Sequence, residues 1–239
     1  MLRALVLTAL VAGATTPSAQ SSAGGPVLIV APHPDDETLG CGGLIARRVH
    51  EGRRVVIAVV TDGRALFRRF GVSEPSESEV STMRKEETLR AVRILGADTA
   101  DVHFLDFENE QLERQRAPAL RAIVQLLQDV RPSEVYFPSS FEGHREHVLV
   151  NELTREACTA TSRCPSAFEF VVNLKSGTTL DSLPRKVQRV DVSAFRDREA
   201  RALAEFKSHL DIIYKGQQAP LAPNYDRYLT AEELFLLPD

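Results

Sequence analysis

Apolar residues along the chain fall into short unbroken runs that alternate with longer amphipathic stretches. Val27-Leu28-Ile29-Val30-Ala31, ended by Pro32, and Val55 to Val60, ended by Thr61-Asp62-Gly63, read as strands buried on both faces. Gly40 to Glu51 predicts a helix between them. Glu79 to Leu95 sets Val80, Met83, Leu89, Val92 and Leu95 among dense charge, with Gly96 as its stop, so an amphipathic helix is expected. Val102 to Leu105 predicts a third strand and Pro118 to Val130 a helix with Ala119, Ile123, Leu126 and Leu127 inward. Val135-Tyr136-Phe137 predicts a fourth strand, and His147 to Ala160 another helix. Strands at Phe168 to Leu174 and Val187 to Val192, then a long helix at Ala194 to Tyr214, complete the pattern. Arg64 to Ser78 has no period and reads as a mobile loop that could serve as a lid. The alternation predicts an α/β three-layer sandwich, a Rossmann-like mostly parallel sheet flanked by helices. No repeat or linker divides residues 27–239, so one domain is expected.

The first nineteen residues differ from the rest. Arg3, the apolar stretch Leu5 to Ala14 and the small residues Thr16-Pro17-Ser18-Ala19 match the three parts of a secretory signal peptide. A buried N-terminal helix or an uncleaved anchor is the competing reading. The apolar run is too short to span a bilayer, so the mature chain is expected to carry no integral membrane span. Residues 20–26 form a polar leader, and the remainder is expected to be exported, periplasmic or secreted.

Charge and cysteine content narrow the options further. With 29 basic and 33 acidic residues the net charge is −4, and no block of like charge supports a nucleic-acid surface. Three cysteines are too few for a disulfide scaffold and lack the spacing of a structural zinc site, so any metal must rely on histidine and carboxylate. Cys158 and Cys164 either close a loop as a disulfide or remain two thiols, and Cys41 reads as a small buried thiol. No feature sets an oligomeric state.

Chemistry concentrates where the predicted strands end, the edge at which open parallel sheets bind ligands. His33-Pro34-Asp35-Asp36-Glu37 follows the first strand, Thr61-Asp62-Gly63 the second, and His144-Arg145-Glu146-His147 the fourth. His33 and Asp36, three apart at a turn into a helix, can converge on one cation, and a later histidine can complete the set. Asp35 projects differently and is free to accept a proton from water. Taken singly, the His33 cluster is also a common acidic helix start and the His144 cluster a solvated, charged one. Together at one sheet edge, with Gly42-Gly43 allowing close packing, they point to a metal site.

The stretch Ala31-Pro32-His33-Pro34-Asp35-Asp36-Glu37-Thr38-Leu39-Gly40-Cys41-Gly42-Gly43 resembles the signature of the PIG-L/LmbE-like zinc deacetylases of N-acetylglucosamine-type sugars. Thr61-Asp62-Gly63 is similar to that family's T-x-G turn, Arg84 to Glu87 to its R-x-x-E helix, and His144 to His147 to its H-P-D-H motif. Phe206-Lys207-Ser208-His209 resembles its aromatic-x-S-Q element. The resemblance implies Zn2+ held by His33, Asp36 and His147, with Asp35 as general base. It implies a protonated His144 at the oxyanion, and Arg84 and Asn109 at the sugar. Surface pairing of Arg84 with Glu87 explains the third motif equally well. Glu37 and Glu146 are expected to support the ligands.

The implied reaction is metal-dependent hydrolysis of an acetamide, releasing acetate and free amine from an amino sugar or glycoconjugate. A zinc amidase on another amide, or an inactive carbohydrate-binding relative, are the competing readings. Glu146 replaces the family's shorter Asp, Asn109 an acidic residue and His209 a Gln, so the substrate is less fixed than the reaction. The slight negative net charge fits a neutral sugar better than a polyanion. His50, at a helix end, and His103, in a strand, read as structural. Tyr214, Tyr225 and Tyr228 either line a sugar cleft or pack a tail.

Overall fold

A computed structural model of the chain describes residues 24–161, 165–179 and 182–237. The expected signal peptide and the leader up to residue 23 lie outside the described residues, as does Cys164. Cys158 and Cys41 are both buried. Among the described residues no helix is long and apolar enough to cross a membrane.

Seven strands form one sheet in the order β3-β2-β1-β4-β5-β7-β6. They are β1 (Val27–Ala31), β2 (Val55–Thr61), β3 (Val102–Phe107), β4 (Glu134–Pro138), β5 (Ser166–Phe170), β6 (Val187–Asp191) and β7 (Glu232–Leu236). The first five run parallel to one another, and β7 pairs antiparallel with both β5 and β6. The two-residue period of β1 assigns its side chains to opposite layers. Val27 and Ile29 enter one apolar core, Leu28 and Val30 the other. Helices α1 (Asp36–His50), α2 (Glu77–Leu95) and α5 (Arg196–Leu203) cover the first face, and α3 (Arg116–Val130) and α4 (Arg145–Ala160) the second. The expected sandwich is the fold. Its strand order reverses between β1 and β4, the switch point at which such sheets open a ligand crevice.

Several boundaries depart from the sequence expectations for tertiary reasons. The predicted Gly40 to Glu51 helix begins four residues earlier, at Asp36, and kinks at Cys41, whose φ of −145° is not helical. The kink gives the second segment its own start, and Glu233 on β7 accepts the N–H groups of Gly43 and Leu44 at 2.7 and 2.9 Å. Gly43 is required there, because a Cβ would lie 2.6 Å from Val192 Cβ. The expected mobile loop holds a 3-10 helix, Arg64–Phe70, before Ser76 caps α2. The long helix expected over Ala194 to Tyr214 ends at Leu203 and resumes only as α6 (Lys207–Leu210), since Glu87 takes the Ser208 N–H and hydroxyl, each at 2.7 Å. The strand β7 carries two leading glutamates and was not expected from the sequence pattern.

Candidate active site

The loops after β1 and β4 meet at the switch point. Thr61, at the end of β2, gives both its N–H and its hydroxyl to the Pro32 carbonyl at 2.9 Å, fixing the exit of β1. Asp35 then turns the chain into α1 with φ 133°, a conformation that costs a residue with a side chain about 1–3 kcal/mol. Three hydrogen bonds hold it. Glu37 Oε2 accepts the Asp35 N–H at 3.1 Å, and the Asp35 carbonyl accepts from Thr38 and Leu39. Glu37, fully buried, thus supports Asp35 directly.

Across the gap, His144 caps α4 and delivers His147 one turn later. His33 Nδ1, Asp36 Oδ2 and His147 Nε2 close a triangle with sides of 3.0, 3.1 and 3.3 Å. Four ligands at about 2.0–2.1 Å from a tetrahedral cation stand about 3.3 Å apart, so these three donors fit a divalent metal such as zinc. His144 joins His33 and His147 in a looser set, its ligand atom within 4.8 Å of theirs. The far nitrogens of the two inner rings meet carboxylates. Glu146 Oε2 lies 2.9 Å from His33 Nε2, and Glu142 Oε2 lies 3.4 Å from His147 Nδ1, near but not aligned as a hydrogen bond. Such carboxylates orient the ring and raise its basicity toward a metal.

The electrostatics follow from this packing. Burial works against charge on His147, but Asp36 and Glu142 outweigh it and raise its pKa to about 10. His33 is raised in the same way by Asp36 and Glu146. Asp36, despite burial, is held well below the usual carboxylate range by the two imidazoles. Burial raises Asp35 to about 7 against the opposing charge of Arg84. That value suits a base working near neutrality.

His144 differs from the expectation of an imidazolium. Although its ring is exposed at the cavity, packing on one side and the neighbouring His33 and His147 lower its pKa to about 4, which favours the neutral ring. Its Nδ1 accepts the Glu146 N–H at 3.3 Å, which leaves the proton on Nε2 as a hydrogen-bond donor. Arg84 is buried and pairs with Asp35 at 3.1 Å while donating to the carbonyls of Pro34 (2.6 Å) and Gly63 (3.3 Å). The expected surface pairing with Glu87 is not formed, because Glu87 holds Ser208 instead. Gly63 has φ 64° and would place a Cβ 2.4 Å from Arg84 Nη1, which accounts for the glycine of the T-x-G turn.

The cavity over these residues has a volume of about 390 Å³ and is lined by His33, Asp35, Asp36, Arg84, Asn109, His144 and His147. The structure thus brings these sequence-predicted residues together, with Glu37 and Glu146 behind them. Asn109 reaches the cavity, yet its amide donates to Glu146 Oε2 at 2.6 Å. His209 and Tyr225 also line the cavity, and His209 Nδ1 stands 3.6 Å from Asp35 Oδ2. Sequence reasoning missed Glu142; its place two residues before His144 was the available signal. Tyr214 packs on Phe67 and Phe70, His50 on Phe195, and His103 stays on β3, all away from the cavity.

Fold and site define a Rossmann-like α/β protein with an imidazole and carboxylate centre at the sheet's switch point. The chain belongs to the PIG-L family, described as GlcNAc-PI de-N-acetylase, whose model matches residues 28–158. It is 31% identical over 209 residues to the 2'-N-acetylparomamine deacetylase of Streptomyces fradiae, covering 81% of this chain and 70% of that one. It is 35% identical over 126 residues to the diacetylchitobiose deacetylase of Thermococcus kodakarensis, covering 51% of this chain but only 44% of that one. The N,N'-diacetylchitobiose deacetylase of Pyrococcus horikoshii, solved with an inhibitor, shares the fold with a TM-score of 0.70 at 17% identity, over 93% of this chain and 88% of that chain.

Proposed function

We propose that the protein is a metal-dependent N-deacetylase that hydrolyses the acetamide of an amino sugar or amino-sugar conjugate, releasing acetate and the free amine. The observation that carries this reading is a buried carboxylate, Asp35, beside a separate triangle of His33, Asp36 and His147. A binding protein has no use for an unligated base at that point. Relatives named as deacetylases of acetylated amino sugars support the substrate class.

His33, Asp36 and His147 would hold the metal, with Zn2+ the best fit to two imidazoles and one carboxylate. When bound, it would supply Lewis-acid charge stabilisation at the amide carbonyl and lower the pKa of water at the site. Asp35 accepts the proton of the attacking water, and Arg84 keeps that carboxylate oriented and ionisable. His144 presents its Nε2–H to the cavity, where it stabilises negative charge developing on the carbonyl oxygen as a neutral donor. The proton gained by Asp35 is then available to the departing nitrogen, which leaves as an amine.

Acetate release from a panel of acetylated mono- and oligosaccharides, with and without a chelator, tests the proposal. Chelator-sensitive acetate supports it; amine release without acetate favours a different amidase; sugar binding without turnover of any amide favours a binding protein. Export through residues 1–19 is a separate proposal resting on the sequence, checked by N-terminal sequencing of the protein recovered outside the cytoplasm.

A further inference from the structure

Both residues expected from the sequence to hold the sugar are engaged within the protein. Arg84 pairs with Asp35 and bridges two backbone carbonyls, and Asn109 donates its amide to Glu146. Recognition of a sugar hydroxyl therefore falls to polar groups that the fold leaves unused. Tyr228 is not one of them, since Arg227 donates to its hydroxyl. Tyr136, fully buried, gives its hydroxyl to Glu134 at 2.9 Å. Tyr225 differs from both.

Tyr225 lines the catalytic cavity and is only 8% exposed, yet among the described residues its hydroxyl has no hydrogen-bond partner. A buried phenol ordinarily has one. The ring is fixed on the side of the cavity where the base sits. Its centroid is 6.2 Å from that of His209, whose Nδ1 stands 3.6 Å from Asp35 Oδ2, and 5.8 Å from that of Tyr228. Leu210 and Leu229 pack against the apolar core to which it belongs, and its carbonyl takes the Tyr228 N–H at 3.0 Å. The phenolic oxygen is near enough to Asp35 and Asp36 to feel both charges. Burial, then Asp35, holds its pKa above the usual phenol value against the opposing charge of Arg84, so the hydroxyl keeps its proton and can donate it.

In a 2-acetamido glycoside the C1 oxygen belongs to the glycosidic bond, so the 3-hydroxyl is the only hydroxyl beside the carbon that carries the acetamide. We propose that Tyr225 is a specificity-determining residue, its hydroxyl donating a hydrogen bond to the 3-hydroxyl oxygen of the amino sugar while Asp35 serves the acetamide next to it. The inference rests on the deacetylase reading and gives that site a recognition contact that Arg84 and Asn109 do not supply. His144, packed on His33, and Tyr225, packed beside His209, then orient the substrate across Asp35.

The test compares metal-loaded wild type and Tyr225→Phe on the methyl glycoside of N-acetylglucosamine and on its 3-deoxy derivative, with acetate release as the readout. On wild type the 3-deoxy glycoside should be about tenfold lower in kcat/KM, because a buried donor is left unpaired. Tyr225→Phe should lose about tenfold on the parent glycoside and no longer distinguish the two. Its Tm should match that of wild type, since the hydroxyl bonds nothing among the described residues. No discrimination by wild type, or a Tyr225→Phe loss equal on both substrates, overturns the contact. Acetate from neither glycoside would sink the deacetylase reading instead. Calorimetric titration of both glycosides into wild type and Tyr225→Phe then still decides the contact, with equal affinities overturning it.

Discussion

Arg84 Nη2 sits 3.1 Å from Asp35 Oδ1, both side chains are buried, and the same guanidinium spans the carbonyls of Pro34 and Gly63. One cation therefore ties the loop after β1 to the turn after β2 while setting the charge state of the base. Arg84→Gln leaves the Asp35 carboxylate buried without a counter-charge. Loss of one partner of a buried pair costs about 3–5 kcal/mol. Burial raises the Asp35 pKa and Arg84 opposes that rise, so the acid limb of the pH–rate profile should move to higher pH in the variant. Arg84→Lys keeps the charge without the fork and should recover only part of the rate. An unmoved limb in Arg84→Gln would remove Arg84 from this role.

Asp35 and His147 are predicted to fail in different ways. Asp35→Asn should keep its metal and lose on the order of 10²-fold or more in rate, because only proton transfer is removed. His147→Ala opens one corner of the donor triangle, so bound metal itself should fall. Metal analysis alongside acetate release separates the two. Full metal content in His147→Ala, or normal turnover in a metal-loaded Asp35→Asn, would contradict the assignments.

Glu146 accepts three hydrogen bonds, from His33 Nε2 (2.9 Å), Asn109 Nδ2 (2.6 Å) and the Glu110 N–H (2.8 Å). Glu146→Gln would set an N–H donor against one of these donors and loosen the His33 ring. The expected cost is about 10–100-fold in metal affinity, measured by chelator competition, with Glu146→Asp less affected because it keeps the charge. Equal affinity in wild type and Glu146→Gln would mean that His33 needs no partner on that side.

The donor triangle and the switch-point strands were legible because local pattern decides them. Unbroken apolar runs mark β1, β2 and β4, and the clusters beginning at His33 and His144 follow two of those strands in sequence. What stayed hidden depends on contacts distant in the chain. Asn109 read as a sugar contact, yet its amide is taken by Glu146, and the Arg84 and Glu87 pair parts to serve Asp35 and Ser208. Ser208 itself shows the limit of periodicity: the Ala194 to Tyr214 stretch has helical spacing, but Glu87, 121 positions away, captures its N–H and breaks the helix. The lowered pKa of His144 could not be read from residue order, since it arises from partial desolvation and from two imidazoles that folding brings beside it.

Glu233 gives the fold a pH dependence away from the metal centre. Buried on β7, it faces the Gly43 and Leu44 N–H groups and Glu199, and burial with that neighbouring carboxyl raises its pKa from 4.5 to about 8. The folded protein therefore retains a proton that the unfolded chain has released. The resulting stability is complete below about 4.5 and is lost as pH rises through about 8. Across that window the slope from one such group is up to about 1.4 kcal/mol per pH unit. Glu233→Gln removes the titration and keeps one of the two oxygens that accept at the kink in α1, at the cost of one of the two N–H contacts. It should flatten the decline in stability between pH 5 and pH 8, though Glu199 and Glu37, each raised to about 7, keep part of it. Urea unfolding of wild type and Glu233→Gln across roughly that range measures the difference. Parallel stability curves would show that Glu233 carries no extra proton in the folded state.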